Sequence, residues 1–171
     1  MSFLGRLFGR KSEPAAPQPP AEAFLGLRNL ALNFRNDPSL SSAPADEPVA
    51  LLMESGHNSG VVVTLACMGD GTTSLYFGHG GGILGSGNHA PVAESNKVWL
   101  TQAKDFAATM SPTTEFPLPA TGRVRFYLLL PGRALTAEAD ENELGWNKHA
   151  LSPLFHGGQA VITQIRVHSP R

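Results

Sequence analysis

The chain has 171 residues, a formal net charge of -1, 42% apolar residues and 16% charged residues. These values fit a single globular domain and exclude an intrinsically disordered chain. No block of Lys and Arg stands within the folded part, which excludes a nucleic-acid groove that neutralises phosphates with clustered positive charge.

Cys67 is the single cysteine, so no internal disulfide can form and a reducing cytosol fits the chain. No apolar run approaches the ~20 residues of a membrane span. Gly5, Arg6 and Gly9 interrupt the first apolar residues, unlike a signal peptide. A cytoplasmic chain is the expectation. Its first residues, MSFLGRLFGRK, gather Phe3, Leu4, Leu7 and Phe8 on one side of a helix, with Arg6, Arg10 and Lys11 as positive charge. A basic amphipathic segment over 1–12 can rest weakly and reversibly in the headgroups of an anionic membrane, on the inner face. A frayed terminus competes with that reading, because Gly5 and Gly9 weaken so short a helix.

Residues 13–22 hold four prolines and no large apolar side chain, so they read as a semi-stiff tether. A single α+β domain is expected over 23–171. It opens on AFLGLRNLALNF, where Phe24, Leu27, Leu30 and Phe34 share helical spacing. From Val49 the pattern turns to strands: VALLME, GVVVTLAC and TTSLYF, parted by SGHNSG and MGDG. The Asp70-Gly71 pair suits a tight hairpin, and the doubly apolar second run suits the middle of a sheet.

A helix is predicted over 89–110 from the stripe Val92, Trp99, Ala103, Phe106 and Met110, with Asn88 as N-cap and Pro91 in the first turn. SPTTEFPLPATG breaks it. RVRFYLLL follows as a strand with Val124, Phe126, Leu128 and Leu130 on one face, and ALTAEA pairs back after Pro131-Gly132. At the end, Ser152 and Pro153 open a helix with Leu154, Val161, Ile162 and Ile165 inside. A strand over 160–167 competes, because Gly157-Gly158 would interrupt a helix. The order gives an α+β fold: one antiparallel sheet of about five strands with helices packed against it. In element order alone it is similar to profilin-like and roadblock-like domains, which implies a ligand-sensing or docking platform.

The stretch GHGGGILGSGNHAP at 78–91 is the candidate ligand site. Gly80, Gly82 and Gly85 satisfy G-x-G-x-x-G, but a hairpin precedes them and no βαβ unit surrounds them. A phosphate-binding Walker loop fails because Ser86 stands where lysine is required. What remains is a possible anion cradle of backbone N–H groups from Gly80, Gly81, Gly82, Gly85, Ser86, Gly87 and Asn88, flanked by His79 and His89. The competing reading is geometric: glycines let the chain reverse and pass close to a neighbour.

Six histidines include no metal-binding spacing, and no metal, cofactor or catalytic residue is assigned. Cys67 among valines reads as a buried, inert thiol. Arg123 and Arg125 alternate with the inner face of their strand, so they read as a solvated face or a contact for an acidic partner. Trp146 lies off any periodic face, and two readings stand level: an exposed anchor for a partner or a plug over the core.

LLMESG, VVVTLACMGDGTTSLYFGHGGGILGSGNHAPVAES and LSPLFHGGQAVITQIR together resemble a group of small bacterial proteins that carry no assigned activity. The resemblance implies a bacterial, cytoplasmic setting and carries over no catalytic residue. The expectation is a non-catalytic protein-interaction domain with a protein partner, a weak anionic-membrane contact and no nucleic acid. The alternative is a small-molecule or anion sensor, or an enzyme, using Gly78–Asn88.

Overall fold

Period-two alternation from Ala50 onward puts apolar side chains on both sides of a sheet, and helices cover each side. The computed structural model describes residues 18–169, so the basic segment 1–12 and linker residues 13–17 lie outside the described residues. Helix α1 spans Glu22–Asn33. Strands β1 (Ala50–Gly56), β2 (Val62–Met68), β3 (Thr73–Phe77) and β4 (Gly82–Ile83) form a meander. After α2 (Ala90–Ala103) come β5 (Ser111–Thr113), β6 (Arg123–Leu130) and β7 (Arg133–Asp140), then α3 (Glu141–Gly145) and α4 (Ser152–His168).

The sheet is antiparallel and runs β4-β3-β2-β1-β6-β7-β5. It therefore has seven strands rather than about five. The two additions are short. β4 lies inside the glycine loop and β5 carries Pro112, so neither leaves an alternation to read. Pro112 suits its place, because proline is tolerated on edge strands.

One face of the sheet carries Leu51, Met53, Leu65, Cys67, Phe126 and Leu128 under α2 and α4. The four inward residues expected on β6 all lie in this core. Trp99 of α2 is buried, and its Nε1 donates to Leu154 O at 2.8 Å, which satisfies the indole while its rings pack. The same indole explains why α4 runs unbroken through Gly157-Gly158. A Cβ on Gly157 would lie 2.6 Å from Trp99 Cδ1, and one on Gly158 2.6 Å from Met53 Cε. The glycines admit the ring between the helices, so the strand alternative over 160–167 is overturned.

The opposite face carries Ala50, Leu52, Ala66, Tyr127 and Leu129 under α1, with Phe116 and Leu118 packed alongside. Here the helix is turned from its expected orientation. Phe24 is buried and Leu27 and Phe34 are partly so, but Leu30 is 72% exposed, while Arg28 is buried. The reason is an acidic partner inside the sheet, described below. In α2 the residue before the helix is His89, not Asn88, and the α-helix gives way after Ala103 to a 3-10 turn over Lys104–Thr109.

Candidate functional site

The glycine loop folds into a hairpin followed by a tight turn. Gly80 and Gly81 have φ of 103° and 80°, conformations that residues with a Cβ seldom adopt. Gly80 N–H donates to Phe77 O at 2.9 Å, and Phe77 N–H to Gly81 O at 3.2 Å. Gly82 then pairs with Tyr76 as the start of β4. Gly85 N–H donates to Ser74 Oγ at 3.3 Å, Asn88 N–H to Gly85 O at 3.2 Å and His89 N–H to Ser86 O at 3.1 Å. Ser86 is buried. Three of the amides named for an anion cradle, those of Gly80, Gly85 and Asn88, thus already donate within the protein.

The remaining glycines serve close approach. A Cβ on Gly82 would lie 2.4 Å from Leu75 O, and one on Gly87 2.0 Å from Gly71 O. The hairpin also seats the start of α1, because Ala21 N–H donates to Gly78 O at 2.8 Å. The histidines have separate ring neighbours: His79 stands edge-on to Phe77 at 5.8 Å, and His89 lies 5.7 Å from His168. Among the described residues no three His, Cys, Asp or Glu side chains gather to hold a metal.

Trp146 follows α3 and is 73% exposed. Its backbone is nonetheless fixed. Asp140 Oδ1 caps α3 by accepting from Asn142 N–H at 2.9 Å and Glu143 N–H at 3.2 Å. Trp146 N–H donates to Asn142 O at 2.9 Å, and Lys148 N–H to Glu143 O at 2.9 Å. Asn147, at φ 57°, holds its Oδ1 2.9 Å from His156 Nε2 on α4. Next to His156, Gly157 borders a groove of about 150 Å³ between α2 and α4, with Val98 and Ala160 on its walls. Val98 is 58% exposed.

Arg123 and Arg125 lie at the outer end of β6 and share one carboxylate. Arg123 Nε donates to Glu138 Oε1 at 2.8 Å, and Arg125 Nη2 donates to Glu138 Oε2. The nearby carboxylates Glu138 and Asp140 are therefore structural, since Glu138 pairs across the strands and Asp140 caps a helix.

The polar cluster that sequence reasoning missed lies under α1. Glu54, fully buried in β1, accepts from Arg28 Nε at 2.7 Å, Arg28 Nη2 at 2.9 Å and Thr64 Oγ1 at 2.9 Å. Arg28 Nη2 also donates to Phe116 O at 2.9 Å, and Tyr127 O–H to Pro117 O at 2.5 Å. Burial alone would lower the Arg28 pKa, but its hydrogen bonds and charge contact with Glu54 outweigh it and hold the value above the ordinary one. Burial, aided by the Glu54 charge, pushes the Tyr127 hydroxyl up to about 12. The signal was present in the sequence: Arg28 sits four residues after Phe24, and Glu54 interrupts an apolar strand. Both Glu54 carboxylate oxygens and the Nε and Nη2 of Arg28 have partners, so the chemistry of the cluster is to tie α1 and residues 116–117 to the sheet.

Cys67 is fully buried, and burial pushes its thiol pKa up, which makes it a poor nucleophile. A cleft of about 520 Å³ opens between the β2–β3 turn and α2. It sets Glu47 and Asp70 against Lys97 and Lys104, and Lys104 already pairs with Glu47 at 3.3 Å. Opposite charges cancel there, leaving little field for a charged ligand. No helix among the described residues is long and apolar enough to cross a membrane. No family model matches the chain, and neither a curated protein nor a solved structure matches it.

Proposed function

We propose that the chain is a non-catalytic protein-interaction module of a bacterial cytoplasm, whose contact surface centres on Trp146 and continues along the α2–α4 groove. The observation that carries this reading is a tryptophan 73% exposed on a backbone held by hydrogen bonds at each side. A rigid, exposed indole offers a large contact area at little entropic cost, and tryptophan is enriched among the residues that dominate binding energy. Val98, Gly157 and Ala160 add a shallow apolar floor for a partner's side chain. The segment 1–12 fits the same reading as a weak, reversible hold on anionic lipid, which would raise the local concentration of a membrane-associated partner.

Site-directed crosslinking tests the surface. A photo-crosslinking amino acid placed at Lys148 beside Trp146 is expected to capture a defined protein adduct in cells. The same group at Glu115, exposed on the far end of the sheet, is expected to give none. An adduct from Glu115 alone would contradict the assignment.

A further inference from the structure

A different cleft, of about 350 Å³, lies where the β6–β7 turn meets β5 and the chain after α1. Its lining includes Arg35, Asn36, Thr113, Thr114, Gly132 and Arg133, and no carboxylate. That composition is unusual in a chain with a net charge of -1, and it contrasts with the self-neutralised cleft beside α2. Neither Arg35 nor Arg133 has an ion-pair partner among the described residues, whereas Arg28, Arg123 and Arg125 all have one.

Arg35 is also pre-positioned. Its guanidinium lies over the Phe116 ring at 4.8 Å, and its Nη1 donates to Leu32 O. Its backbone oxygen accepts from Gly132 N–H at 2.8 Å, which fixes the turn that carries Arg133. Asp37, the nearest carboxylate along that stretch, is not part of the lining, and its Oδ1 accepts from Ser39 N–H at 2.8 Å. Two arginines, Thr114 and Asn36 therefore line one small opening whose walls hold no carboxylate, while the Thr113 hydroxyl is bonded within its own turn to Glu115.

We propose that this cleft binds the phosphate group of a small phosphorylated molecule. A phosphate dianion has enough acceptor oxygens for two guanidinium groups and a neighbouring hydroxyl, which a single carboxylate lacks. Arg133 is exposed, so binding is weakened by salt and depends on both guanidinium groups acting together. The site stands apart from the Trp146 surface, at the opposite end of β7.

The test is a titration of the full chain with inorganic phosphate at constant ionic strength, followed by amide proton–nitrogen correlation spectra, with chloride as control. Saturable shifts are expected at Asn36, Thr113, Thr114 and Gly132. Arg133→Gln is expected to weaken them at least about tenfold, from the loss of one charged fork. Arg133→Lys, which keeps the charge without the fork, is expected to fall between. Shifts unchanged by Arg133→Gln, or strongest at residues 80–88, would overturn the proposal.

Discussion

The Gly78–Asn88 loop and the Trp146 corner both break the regular pattern of the sequence, and they use their unusual residues in opposite ways. In the loop, the chain turns back on itself, donates its amides to its own carbonyls and a serine, and lets Gly82 and Gly87 touch neighbouring backbone. At the corner, the backbone is equally fixed but the largest side chain is left outside. What separates the regions is that several loop amides bond within the protein, while the Trp146 indole is left in solvent.

The largest expected effect lies in the cluster under α1. Glu54→Ala leaves the Arg28 guanidinium buried without its counter-charge, and a loss of about 3–5 kcal/mol is expected in urea unfolding. Both regions should then lose amide-exchange protection together. If only the α1 side responds, the sheet does not couple them.

The same cluster gives a pH dependence. Tyr127 is held at about 12 in the folded chain against an ordinary value of 10.0. Its folded-state pKa is raised, so the stability tied to its neutral form is complete below pH 10.0 and falls as pH rises toward about 12. Tyr127→Phe is expected to flatten that part of an alkaline unfolding profile.

Gly87→Val sharpens the comparison on the loop side. Its Cβ would meet Gly71 O, and overpacking of this kind costs about 1–3 kcal/mol. Cys67 pairs in register with Thr73 close by, so its labelling by a thiol reagent should speed up in this variant. An unchanged labelling rate and unfolding midpoint would mean that the loop is looser than the geometry requires.

Trp146→Ala should have the smallest effect on stability, within about 0.5 kcal/mol, because an exposed side chain away from special features contributes little. A drop beyond about 2 kcal/mol would instead match truncation of a core residue, and the corner would then be a plug.

The sequence made the helices and long strands legible because their burial is periodic. Val124, Phe126, Leu128 and Leu130 announce an inner face, and they line it. β4 and β5 were hidden because pieces of two and three residues have no period. Arg28 was hidden for a different reason: a charged side chain on a helix face reads as solvated until a buried partner such as Glu54 is placed opposite, and that pairing spans 26 positions. Gly157-Gly158 left a strand in competition with the correct helix, since only Trp99 and Met53 packed against them show why a helix would carry them. For the glycine loop, composition reveals backbone freedom but not where the amides point, which left a ligand cradle and a geometric turn side by side. For Trp146 the sequence left exposure and burial level, and the turn after the capped helix α3 puts the side chain in solvent.

One comparison bears most directly on the division between the two regions: quantitative affinity capture with the native chain, Trp146→Ala and Gly82→Ala, all tagged alike. Gly82→Ala is expected to lose stability through its contact with Leu75 O yet keep the captured partner, because a domain ~5 kcal/mol stable tolerates ~1–2 kcal/mol. Trp146→Ala is expected to keep its stability and lose the partner by a factor of about 30, the equivalent of ~2 kcal/mol. Retention of the partner by Trp146→Ala, with its loss from Gly82→Ala, would contradict the account.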